Sequence, residues 1–312
     1  MKICMIGLGS IGRKHLENVV AVLIEHNIKY EIDALRSSHT TLEKKEYNSI
    51  SQQYYSIDDM PNDYDIIFIT NPTSLHYDTI RKTIGKTKHM FIEKPVFEST
   101  LYHIADLPLK KDGIYYVACP LRHKSILKYV KQNIICKEKI LSARIISTSY
   151  LPSWRKETDY RIVYSAKKDL GGGVTKDLIH EWDYAVYLFG PPDRVMNLKG
   201  HISNLEIDSD DISIYIAKYP HMFLEMHLDY IGHKSERIIQ IFTNEKRIDV
   251  DLLSDTIFEY QNNERINKKT FLTEDFYRNE MEYFIDCVEK KQSNINTIQN
   301  AYNTLRIALV EG

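Results

Sequence analysis

The chain has 312 residues, 43% hydrophobic and 27% charged, with a formal net charge of −2. That length suggests two domains with ample core material, and the near-neutral balance gives no reason to expect a nucleic-acid or membrane partner. No apolar run is long enough to cross a bilayer, Met1-Lys2 leads directly into a strand, and Cys4, Cys119, Cys136 and Cys287 stand far apart, so a cytoplasmic protein without metal or disulfide framework is expected.

The first third alternates strand and helix. Strands are expected at Lys2–Ile6, Tyr30–Leu35, Gln53–Tyr55, Asp65–Thr70, His89–Ile92 and Tyr115–Ala118. Helices are expected at 12–25, 40–47, 75–84 and 99–107, with Lys44-Lys45 on a solvated face. This order predicts an α/β fold: an N-terminal Rossmann domain with a doubly wound parallel sheet, over residues 1–119. After Cys119 the pattern changes. A helix is expected around 123–130, a strand at 140–150, a polar aromatic loop at 151–170 and a helix at 174–189. Strands then follow one another at 212–219, 222–230, 237–242, 247–251 and 256–260 before two helices, 273–289 and 297–310. Residues 120–312 therefore read as a C-terminal α+β domain on a large, mostly antiparallel open sheet, its closing helices able to fold back on the first domain.

Between the first strand and first helix stands Gly7-Leu8-Gly9-Ser10-Ile11-Gly12. Gly7 permits the turn, Gly9 lets backbone approach a pyrophosphate, and Gly12 lets helix pack on strand. Gly7, Gly9, Ser10, Ile11 and Gly12 are thus candidate cofactor-binding residues, since free N–H groups at the helix start suit phosphates. The alternative is a glycine-rich turn without a ligand. The second strand ends Leu35-Arg36-Ser37-Ser38, with Asp33 inside the strand instead of at its tip. An arginine and two hydroxyls suit a 2′-phosphate, so NADP is expected as the preferred cofactor, with NAD accepted if Arg36 only stacks on adenine. Thr70, Asn71, Pro72 and His76 close the fourth strand and are expected to border the cofactor; His76 could equally cap the helix it starts. Glu93 is expected to hold its turn or the nicotinamide ribose.

Three segments carry a family resemblance: Thr70-Asn71-Pro72-Thr73-Ser74-Leu75-His76, then Glu93-Lys94-Pro95, then Gly171-Gly172-Gly173-Val174-Thr175-Lys176-Asp177-Leu178-Ile179-His180-Glu181-Trp182-Asp183-Tyr184. With the glycine turn, these resemble the glucose–fructose oxidoreductase and inositol dehydrogenase family (Gfo/Idh/MocA). The resemblance implies hydride transfer on a sugar or polyol, with Lys94 as the active-site lysine and Asp177 and His180 beside it. The residues themselves point the same way. A lysine at a strand's C-terminal end can bond the reacting oxygen, and an imidazole exchanges protons near neutral pH. Asp177 and His180 lie three apart, so one helix would place them on one face. Many relatives space them by four, so the spacing here is one residue shorter.

Lys94, Asp177 and His180 are thus the catalytic candidates. Arg122, Trp154, Arg155 and Tyr160 join them as candidate substrate contacts, because aromatic faces suit sugar C–H surfaces and Arg forks suit hydroxyls or anions. A homodimer or homotetramer through the C-terminal sheet is implied by resemblance. The rival reading is a catalytically silent NAD(P)-binding sensor or regulator of the same fold.

Overall fold

The computed structural model describes residues 1–39, 48–155 and 157–310. The helix expected at 40–47, with Lys44-Lys45, lies outside the described residues. The rest divides into two units: residues 1–120 with 275–303, and residues 121–274 with 304–310. A single cut after residue 119 therefore differs from the structure, which groups 275–303 with the first unit. The reason is packing. The helix Phe276–Val288 turns Met281, Phe284 and Ile285 into a core shared with Leu16, Val19, Phe68, Phe91 and Tyr116. Beyond it, Asn296 exchanges backbone and side-chain hydrogen bonds with Val117.

Strands β1 (Lys2–Ile6), β2 (Glu31–Leu35), β3 (Gln52–Tyr54), β4 (Tyr64–Ile69), β5 (Thr87–Ile92) and β6 (Tyr115–Val117) form one six-stranded sheet in the order β3-β2-β1-β4-β5-β6. Every pairing is parallel. The runs Ile66–Ile69 and Met90–Ile92 are fully buried, as expected for strands covered on both faces. Helix α1 (Ser10–Glu25) starts directly after the glycine turn. The helix expected at 99–107 is absent; only a 3-10 turn at Ile104–Asp106 forms. Leu101 stays 83% exposed, and the Tyr302 hydroxyl donates to the carbonyls of Thr100 and Tyr102, which leaves that stretch neither an apolar face nor a helical ladder.

The second unit is built on eight strands: β7 (Ser142–Tyr150), β8 (Arg194–Gly200), β9 (Ile212–Lys218), β10 (Phe223–Asp229), β11 (Ile231–Phe242), β12 (Arg247–Asp251), β13 (Thr256–Gln261) and β14 (Glu264–Thr270). Their order is β14-β13-β12-β11-β7-β10-β9-β8, antiparallel throughout except where β10 runs parallel to β7. Tyr215 and Ala217 of β9 and Leu224, Met226 and Leu228 of β10 face inward. Trp182 from the helix Ile179–Phe189 meets Tyr215 edge-on at 5.2 Å.

The helix expected at 174–189 is broken. It runs Val174–Asp177, interrupts at Leu178 (φ −93°, ψ 27°) and resumes Ile179–Phe189. The interruption lets consecutive Leu178 and Ile179 both bury. Asp177 therefore ends one helix while His180 begins the next, and the shared helical face expected from their spacing does not form.

Candidate functional site

In the first unit, the chain turns at Gly7, whose φ of 95° favours glycine. A Cβ there would lie 2.8 Å from the Asn71 nitrogen, and one at Gly12 would lie 2.2 Å from the Gly7 oxygen. Both glycines are thus fixed by contact with neighbouring backbone. Gly9 differs: nothing lies within 4 Å of its Cβ position. It is the N-cap of α1, with no side-chain cap and no acidic residue in the first turn. Gly9 and Ser10 are exposed, so uncapped backbone donors at a helix start face open space.

The fourth-strand residues divide. The Thr70 hydroxyl donates to the Gly7 and Ile6 carbonyls at 2.6 and 3.1 Å, which makes it a brace for the turn. Asn71 donates through Nδ2 to Thr79, while its buried Oδ1 has no hydrogen-bond partner among the described residues. Pro72 is exposed beside it. His76 is buried, with Nδ1 3.0 Å from the Pro95 oxygen and Nε2 3.0 Å from that of Asn71; a neutral ring donates to one of these carbonyls. It sits between the ends of β4 and β5, and burial depresses its basicity.

Glu93 is likewise turned inward. Its Oε1 lies 2.5 Å from Nε2 of fully buried His15, and its Oε2 accepts the Lys94 N–H at 3.0 Å. Burial alone would raise the Glu93 carboxyl; the His15 bond and the Lys94 charge outweigh it and hold the group below its usual range. The carboxylate holds its turn, one of the two roles expected of it. His15 had no distinguishing mark in the sequence beyond standing three residues after Gly12. Lys94, half-buried, follows directly. At the tip of β2, Arg36 donates to the Gln53 side chain at 2.7 Å, and Ser37 and Ser38 are exposed. Asp33 is buried and accepts the Tyr64 hydroxyl at 2.8 Å.

In the second unit, Asp210 shapes the approach to Asp177. Its Oδ2 accepts both the backbone N–H and the hydroxyl of Thr175. A Cβ at Gly173 would lie 2.3 Å from its Oδ1, which explains the last glycine of the triplet. Asp177 accepts the hydroxyl of buried Tyr230 at 2.6 Å. Asp177 and His180 are each half-buried.

Arg122 is held inside the fold. It is 7% exposed and forks onto Asp183 at 2.7 and 2.8 Å. Its Nε and Nη2 donors are engaged by this buried carboxylate. Burial pushes the Asp183 carboxyl up, and Arg122 opposes that. Tyr160 is partly committed too, since its hydroxyl accepts the Glu206 N–H. Trp154 is 41% exposed, bonds Ser149 through Nε1 and packs edge-on against Tyr230 at 5.3 Å. Arg155 is exposed, with no ion pair among the described residues.

These features meet recognisable relatives. Residues 1–107 match the Gfo/Idh/MocA family, described as an oxidoreductase family with an NAD-binding Rossmann fold. The myo-inositol 2-dehydrogenase of Thermotoga maritima is 28% identical over 204 residues, 61% of this chain and 55% of that protein. The D-xylose dehydrogenase of Paenarthrobacter nicotinovorans is 27% identical over 175 residues, 52% of this chain and 44% of that one. The chain thus spans about half the length of the curated relatives it matches. A UDP-N-acetylglucosamine 3-dehydrogenase structure from Acidithiobacillus ferrooxidans shares the fold across 99% of this chain and 95% of its own, with a TM-score of 0.78 at 17% identity. Over residues 1–107 the chain therefore matches the NAD-binding Rossmann fold described for the Gfo/Idh/MocA oxidoreductase family.

Proposed function

We propose that the chain is an NAD(P)-dependent dehydrogenase that interconverts alcohol and ketone on a sugar, sugar derivative or polyol. One observation carries the reading. Within the first unit, the open helix start at Gly9 and the Lys94 turn belong to one braced assembly, because His15 of α1 grips Glu93 beside Lys94. A lysine held there can reach a reacting oxygen close to a dinucleotide laid along that helix start.

The residues fit such a cofactor. Gly9 leaves room for a pyrophosphate, α1 offers uncapped N–H groups, and the Asn71 Oδ1 is an unused buried acceptor at the turn. Bound there, the nicotinamide would accept or return a hydride. Lys94 would bond the substrate oxygen and stabilise charge developing on it. His180 would exchange the hydroxyl proton, and Asp177 would orient the substrate hydroxyl as an acceptor. The names of the relatives supply the substrate class: inositol, xylose and a nucleotide sugar. Exposed Arg155 leaves an anionic sugar derivative within that class.

Two finer readings accompany this one. NADP is the preferred cofactor, because Asp33 is sequestered by Tyr64 while Arg36 stands braced by Gln53 at the strand tip. The chain also forms a homodimer or homotetramer through its larger sheet. Met196, Leu198, Ile214 and Ile216 are 57, 78, 38 and 46% exposed, and they pair across β8 and β9 as one outward apolar patch. A second copy would cover it. A cytoplasmic location suits the four free cysteines.

Turnover is tested with myo-inositol, D-xylose and UDP-N-acetylglucosamine against each nicotinamide cofactor, followed by the absorbance of the reduced ring. Lys94→Ala is expected to lower kcat at least a hundredfold with cofactor affinity nearly unchanged; wild-type turnover in that variant removes the mechanism. Arg36→Asp is expected to weaken NADP binding about tenfold or more and to spare NAD. An unaltered preference would show that Arg36 does not read the phosphate. Sedimentation velocity at micromolar concentration should show a dimer or tetramer, and a monomer would contradict the assigned sheet contact.

A further inference from the structure

We propose that Tyr230 is a positioning residue for the reaction, acting through Asp177; this rests on the functional reading above. Tyr230 follows β10 and is fully buried. Its hydroxyl donates to Asp177 Oδ2 at 2.6 Å, a charge-assisted bond when the carboxylate is ionised. Burial, and next the Asp177 charge, push the phenol well above its usual range, so Tyr230 keeps its proton and remains a donor.

The ring cannot drift. The Tyr230 N–H donates to the Asp211 carbonyl, and its own carbonyl accepts the Leu151 N–H. Trp154 abuts the ring edge-on at 5.3 Å. This rigidity matters because Asp177 sits where the helix breaks, with Leu178 out of helical geometry directly after it. Tyr230 engages Oδ2 and thereby fixes the plane of the carboxylate and the direction of Oδ1. It has no exposure of its own, so its effect on a substrate passes through Asp177 and not through contact.

The same Tyr230 ring packs against Trp154, which begins the polar aromatic loop. The loop and the carboxylate thus share one rigid support. Loss of the hydroxyl should loosen Asp177 and leave the ring packing intact.

The experiment compares unmodified chain, Tyr230→Phe, Asp177→Asn and the double variant, with whichever of myo-inositol, D-xylose and UDP-N-acetylglucosamine the unmodified chain turns over. Tyr230→Phe should lower kcat about tenfold to a hundredfold, the scale of one hydrogen bond to a charged group. The cofactor KM should stay nearly fixed, and the thermal midpoint should fall by only a few degrees. In the Asp177→Asn background the same change should cost almost nothing further. If Tyr230→Phe folds poorly, 4-fluorophenylalanine at position 230 keeps the ring and most of the volume without a donor. Wild-type kcat in Tyr230→Phe beside an impaired Asp177→Asn would overturn this inference and leave the functional reading standing. Losses that multiply would also overturn it, because the hydroxyl would then act without Asp177. An unimpaired Asp177→Asn, or no turnover by the unmodified chain, would instead sink the reading on which it rests.

Discussion

The closest constraint in the first unit is the approach of Gly12 to the Gly7 carbonyl, where a methyl group would sit 2.2 Å from oxygen. No side chain larger than hydrogen fits, and the displaced group would be backbone. That approach brings the start of α1 down onto the C-terminal ends of β1 and β4, with the Thr70 hydroxyl locking the Gly7 oxygen in place. The price of two glycines in a turn is conformational entropy, offset by the core beneath, where Leu16, Val19 and Leu23 meet Phe68 and Phe91. The outcome is a helix terminus whose donors have no intrahelical partners and whose Gly9 opens to space. Such an end suits an anion, and everything proposed about the chain's chemistry begins there.

Within each unit, buried side-chain pairs hold the candidate residues. His15 and Glu93 brace the Lys94 turn, and the His76 ring lies between the backbone carbonyls of Asn71 and Pro95. In the second unit, Asp210 fixes the glycine triplet, Tyr230 grips Asp177, and Arg122 forks onto Asp183. In each pair at least one partner is buried, where an unmet polar group would cost far more than at the surface. Several polar residues of each unit are therefore supports, holding a turn or a carboxylate in place instead of facing solvent.

Much of this was legible in the sequence. The glycine turn between strand and helix, the alternating first third and the run of consecutive strands led to the two observed sheets, because hydrophobic periodicity and glycine placement are local signals. What escaped was set by distant partners. β14 is exposed along its whole length, so Glu264–Thr270 has no apolar alternation to reveal a strand. In β8, Met196 and Leu198 point outward, opposite to the usual pattern. The break at Leu178 and the extended 99–103 stretch depend on tertiary contacts that no local window contains. The same holds for sites. The pairing of Arg122 with Asp183 across 61 positions is invisible in a linear chain, and Tyr230 gave no signal for the same reason.

The claim on which the rest stands is that the Gly7–Gly12 turn receives a nicotinamide dinucleotide. Calorimetric titration of the unmodified chain with NADPH and, separately, NADH tests it directly. Saturable binding of at least one of them, one molecule per chain, is the predicted result. No saturable binding of either at millimolar concentration, with the chain folded by circular dichroism, would contradict it.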